Sequence, residues 1–126
     1  VVQTITGDFD LIDQLEFTHE GAVLIAREHY NQQGLLFFDV KTNQPIQHSG
    51  DFKKHTATDI TEFCFNADQS KLVLLKRNTV WVLDYRTKTL LHHFTADHQV
   101  KNGKPGFAGE LLGIRTDYGC FSLYVV

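Results

Sequence analysis

Residues 82–91 read VLDYRTKTLL, and residues 37–46 read FFDVKTNQPI. Each stretch has an apolar pair, then Asp, an apolar residue, a basic residue and Thr, and each returns to apolar character. Upstream, IDQLEFTHEGAVLI (12–25) aligns with ITEFCFNADQSKLV (60–73) at an offset of 48, which sets Leu15 and Phe17 over Phe63 and Phe65. The offset falls to 45 past HYNQQG (29–34), a turn three residues longer than its counterpart. Beyond it Asp39 lies over Asp84, Thr42 over Thr87 and His48 over His93. The chain therefore states one unit twice.

Period-two alternation shows what that unit is. Strands are predicted at 1–7, 12–18, 22–28, 34–40 and 45–49, and again at 60–66, 71–77, 79–85 and 89–95, with two more at 111–115 and 120–126. The connections HEG, HYNQQG, KTNQ, ADQS and DYG are short and rich in turn residues, so neighbouring strands pair antiparallel. No amphipathic helix is predicted. Four strands in a period near 45 residues is the signature of a propeller blade, and a blade hides both faces of its sheet only by stacking on neighbours. HQVKNGKPGFAG (98–109) reads as a long loop, since four of its twelve positions are Gly or Pro. The segment LLGIRTDYGCFSLYVV (111–126) reads as the first hairpin of another blade.

Composition narrows the function classes. The chain has 126 residues, 42% of them hydrophobic and 21% charged, which fits an ordered globular segment. Net charge is −3 with the basic residues scattered, so the footprint of a nucleic-acid binder is missing. Two Cys make no disulfide framework, and no apolar run approaches the ~20 residues of a membrane-spanning helix. The absence of Met places Val1 downstream of a natural initiator, so a piece of a longer chain is expected.

The repeats resemble WD40 blades, a family pattern that runs Gly-His, an apolar strand ending in a Phe-polar turn, two more strands, and a Trp-Asp closure. Gly7-Asp8, Lys54-His55 and Asp97-His98 occupy the Gly-His slots, and Phe38-Asp39 and Leu83-Asp84 the Trp-Asp slots. Neither closure carries Trp, because Trp81 lies two positions earlier, and Gln32 and Arg77 stand where the family's turn Asp falls. The resemblance implies an all-β, antiparallel, WD40-like β-propeller with an incomplete ring. Residues 1–7 are the outer strand of a preceding blade, 8–54 and 55–97 are whole blades, and 98–126 are a long loop and the start of a further blade. It further implies a hydrogen-bonding structural role for His55 and His98.

His92 and His93 are adjacent in a strand and point to opposite faces, which leaves no zinc-ligand spacing. Asp39 and Asp84 are expected to organise turns by accepting backbone N–H bonds. The group Asp8, Asp10 and Asp13 lacks the layout of a calcium loop and reads as solvated loop ends. No nucleophile elbow, phosphate loop or Cys–His pair is present, so no catalytic residue, metal or cofactor is expected. The expectation is a non-catalytic, cytoplasmic scaffold for protein partners, with further blades or another subunit completing the ring and no nucleic acid or membrane span. Asp8, Tyr30, His55, Arg77, Asn78 and Lys104 are the expected docking residues. The alternatives are a propeller enzyme or ligand-binding propeller whose site is completed by further blades, and a two-sheet β-sandwich that binds a ligand.

Overall fold

The computed structural model describes residues 4, 11–18, 20–30, 32–96, 106–115 and 121–126. Three antiparallel sheets follow one another along them. The first joins β1 (Ile12–Phe17), β2 (Val23–Glu28), β3 (Leu35–Asp39) and β4 (Gln44–Pro45) in sequence order. The second joins β5 (Glu62–Phe65), β6 (Lys71–Lys76), β7 (Thr79–Asp84) and β8 (Thr89–Thr95) in the same way. The third runs β9 (Gly106–Ala108), β10 (Leu111–Arg115) and β11 (Phe121–Val125). A helix, α1 (Gly50–Thr56), links the first sheet to the second.

The strand registers reproduce the sequence repeat. Leu15 pairs with Ala26 as Phe63 pairs with Leu74, and Phe17 pairs with Leu24 as Phe65 pairs with Leu72. Ile25 faces Phe37 as Val73 faces Val82, and Asp39 meets Gln44 as Asp84 meets Thr89. The turns agree to the atom. Asp39 Oδ1 accepts from the N–H groups of Lys41 and Thr42 at 2.9 and 3.0 Å, and Asp84 Oδ1 accepts from Arg86 and Thr87 at the same distances. Both carboxylates organise turns, as their sequence position implies. Backbone N–H bonds, led by that of Thr87, hold the Asp84 carboxyl below the usual range.

Alternation along the second sheet divides the core in two. Leu72, Leu74 and Leu83 join Ile25, Leu35, Phe37, Phe52, Ile60 and Phe63 in one cluster against the first sheet. Val73, Leu75, Val80 and Val82 join Cys64, Ala96, Leu112 and Ile114 in the other, against the third. The middle sheet is therefore buried on both faces, and each large side chain sealed there contributes roughly 1.5–3 kcal/mol. Three stacked sheets replace the two of a sandwich. On the opposite face of the first sheet Leu15 and Phe17 are 59% and 55% exposed, although Phe63, the repeat equivalent of Leu15, is fully buried. Leu123 and Val125 are likewise exposed on the far face of the third.

Three local readings need correction. The stretch predicted as a strand at 45–49 keeps ladder pairing only at Gln44–Pro45, and α1 follows where no helix is predicted. Gly50 takes a φ of +63° that turns the chain out of extended Ser49. Phe52 and Thr56, four residues apart on one face, are then buried, and Lys53 and Lys54 place positive charge in the last turn, where it complements the helix dipole. Gly106–Ala108 of the predicted loop forms β9, which contacts β5, so β10 and β11 are the middle hairpin of the third sheet rather than its first. The predicted strand at 1–7, apart from Thr4, and the pairs Gly7-Asp8 and Asp97-His98 lie outside the described residues.

Candidate protein-docking face

The turn between β2 and β3, the turn between β6 and β7, and the link from α1 to β5 lie at one end of the sheets. Backbone bonds fix the first of these turns to the link. The Asp59 N–H donates to Gln32 O at 2.8 Å, and the Ile60 N–H donates to Gln33 O at 2.9 Å. On the neighbouring turn, Ala96 N–H donates to Asn78 O at 2.7 Å. Gln33 and Arg77 occupy left-handed backbone (φ 55° and 56°), which helps to reverse the chain in both turns. Hydrogen-bonded backbone thus carries exposed side chains at this end, the division that suits recognition.

Tyr30 stands out from the first turn, 57% exposed, with its ring edge-on to His29 at 4.7 Å. A chain of contacts anchors it. A bulge between Ile12 and Gln14 re-aims Asp13, whose carboxylate bonds His29 Nδ1 at 2.7 Å and the Arg27 guanidinium. Arg27 is buried and also donates through Nε to Ile60 O at 2.5 Å, tying the first sheet to the link before β5. Desolvation pushes the Asp13 carboxyl up, but the bonds and charge of Arg27 and His29 outweigh it and hold the group below its ordinary range. Asp13 is therefore an ion-pair partner and not a solvated loop end. A signal for this existed: Arg27 occupies the strand position that Leu75 fills in the repeat, a charge in an otherwise apolar column.

The second turn presents Arg77 and Asn78, both exposed. Behind them Trp81 is clasped between two imidazoles, with His93 stacked at 4.8 Å and His55 tilted over it at 5.0 Å. Lys76 Nζ lies 5.3 Å from the same ring, and the indole N–H donates to Thr79 Oγ1 at 3.2 Å. His55 thus works through ring packing from a helix rather than through the hydrogen bond implied for its slot. Burial first, and the Lys76 charge second, hold its pKa below the ordinary value and favour the neutral ring. Burial likewise lowers Lys76, against the pull of Asp59.

The structure thus brings Tyr30, His55, Arg77 and Asn78 to one end of the stack. Asp8 and Lys104 lie outside the described residues. His92 and His93 are both exposed on β8. Among the described residues no three His, Cys, Asp or Glu side chains converge as a metal site would require. None of the described helices is long and apolar enough to cross a membrane.

Comparison with known proteins places this geometry. No family model and no curated protein matches the sequence. Among solved structures, the chain superposes on the WD40 repeats of RRP9 with a TM-score of 0.73 at 13% identity, over 98% of this chain and 38% of that one. The structure of U3-55K gives 0.73 at 12% identity over the same shares, 98% and 38%. The computationally designed Ika4 protein gives 0.63 at 17% identity, over 91% of this chain and 66% of that one. The fold is that of WD40 propeller blades. The chain spans 38% of the length of the two WD40 structures it matches.

Proposed function

We propose that the chain is a non-catalytic, WD40-like propeller segment that docks protein partners in a cytoplasmic assembly, using the face that carries Tyr30, His55, Arg77 and Asn78. The observation that carries this reading is the exposed Tyr30, held by contacts that begin at the buried Arg27. A rigid aromatic tip loses little entropy on binding, and Tyr and Arg are the side chains that most often dominate protein interfaces. The WD40 likeness agrees with a scaffold role.

Capture of partners from cell extract by the chain, with Tyr30→Ala and Arg77→Glu tested together, checks the proposal. Loss of specific partners at unchanged thermal stability supports it. Retention of every partner by the double variant refutes it.

A further inference from the structure

We infer that the outer edge of β3 receives an extended segment of a partner protein as an added strand. In the second sheet the outer strand β8 is seven residues long and pairs β7 from Thr79 to Asp84. In the first sheet β4 has two residues and pairs only Phe38 and Asp39. Ile46 N–H adds one bond, to Phe37 O at 2.7 Å, before the chain leaves for α1. Leu35 and Leu36 occupy the repeat positions of Val80 and Trp81, which meet Phe94 and His93 on β8. No strand among the described residues meets Leu35 or Leu36 on that side.

Ladder geometry shows where their polar groups point. Gly34 O accepts from Glu28 N, and Val40 N donates to Ala22 O, so the even-numbered residues of this strand bond to β2. An antiparallel strand turns alternate residues to opposite neighbours, so Leu35, Phe37 and Asp39 direct their N–H and C=O groups outward. Asn43 N–H fills the Asp39 carbonyl and Ile46 N–H the Phe37 carbonyl. Among the described residues no backbone group bonds the Leu35 N–H or C=O on that side, and β4 does not reach it.

Beside this edge lies a cleft of about 380 Å³, lined by Leu35 and Phe37 of β3, by Ile46 and His48 of the segment that leads to α1, and by Lys53 and Ala57. An unpaired edge beside an open slot is the geometry of strand addition, in which backbone bonds supply affinity and side-chain pockets supply choice. The repeat describes the occupant. On β8 the residue opposite Val80 is Phe94, half-buried against the core, so the added segment carries a large apolar side chain opposite Leu35. The wall charge describes the rest. Lys53 is in no ion pair among the described residues, Glu28 at the other end of the cleft already has a partner, and His48 is held edge-on by Phe37 and Phe52. The occupant is therefore an extended peptide, apolar at alternate positions, with a carboxylate placed to meet Lys53. The site uses β3 and α1 rather than the loop tips, so it stands or falls apart from the docking face.

The test pans a displayed library of random ten-residue peptides against the whole chain and follows amide exchange of the complex. Enriched peptides are expected to alternate apolar residues, to carry Asp or Glu at one end, and to slow exchange at the Leu35 amide at least tenfold while leaving Val80 unchanged. Lys53→Glu, a surface change that spares the fold, is expected to shift enrichment to Lys or Arg. No enrichment, or protection confined to the Tyr30 and Arg77 turns, overturns the proposal. So does a Leu35 amide already protected in the free chain. Protection that rises with protein concentration assigns the edge to a second copy, and protection independent of concentration assigns it to a segment of the same chain.

Discussion

Gly34 is where the first sheet comes nearest to the linker that follows α1, and replacing it tests that approach directly. A Cβ built on Gly34 falls 2.1 Å from Ala57 O and 2.6 Å from Ala57 C, where ordinary contact begins near 3.4 Å. The obstacle is backbone and cannot rotate aside, so the linker must retreat by more than 1 Å. That movement strains the bonds from Asp59 to Gln32 and from Ile60 to Gln33, both at 2.9 Å or less. Overpacking costs about 1–3 kcal/mol, and weakening two hydrogen bonds adds about 0.5–1.5 kcal/mol each, so Gly34→Ala is expected to lose about 3 kcal/mol. For a chain of this size that is a fall in Tm of roughly 10 °C. Gly113→Ala is the matched control, since its added Cβ would meet nothing nearer than Leu123 at 3.6 Å. The control is expected to stay within about 0.5 kcal/mol of the parent. Urea and thermal unfolding of parent and variants supply the comparison. Equal midpoints for Gly34→Ala and Gly113→Ala would refute the close approach and, with it, the placement of the linker over the first sheet.

Further outcomes follow from the same packing. Asp13→Ala leaves the Arg27 guanidinium buried without its partner and is expected to cost about 2 kcal/mol, discounted from the full penalty because Asp13 is partly exposed. Arg27→Leu, which installs the residue type found at Leu75, is expected to be neutral or stabilising by urea unfolding. An equal cost for both variants would contradict the pair's assignment. Phe63→Ala is expected to cost about 3–5 kcal/mol and Leu15→Ala under about 1 kcal/mol, although the two positions are repeat equivalents, because only Phe63 is sealed between sheets. Burial lowers the pKa of His48 and His55, so their rings refuse protons that the unfolded chain accepts. Both add no pH dependence above the ordinary histidine value near 6.5, and both reduce stability as pH falls through it. Unfolding midpoints measured between pH 7.5 and 6 are expected to drop on acidification, and to drop less in His48→Phe. A midpoint that rises on acidification would contradict the burial of these rings.

The repeat was legible because it is written in strand alternation and turn chemistry, both local. Asp39 and Asp84 name their own turns, and the offsets of 48 and 45 match the register of each paired strand. What escaped needed three dimensions. The helix α1 buries only Phe52 and Thr56, too few apolar positions to show a period. The strand β9 is three residues long and sits beside Gly and Pro, where loop signals dominate. Asp13 meets Arg27 and His29 only because a bulge turns it, and a bulge has no fixed residue signature. The clasp on Trp81 joins residues from α1, β7 and β8, far apart in sequence. The exposed turns that carry Tyr30, Arg77 and Asn78 were legible from turn residues, whereas the contacts around Tyr30 were not.

Methyl NOE spectroscopy of Val73 and Leu74 puts the stacked arrangement to the most direct trial, because these neighbours on β6 belong to different interfaces. Leu74 is expected to show cross-peaks into the cluster of Ile25, Leu35 and Ile60, and Val73 into that of Leu112 and Ile114. Cross-peaks from both residues to a single cluster would mean that the second sheet has one covered face, and the stack of blades would be wrong.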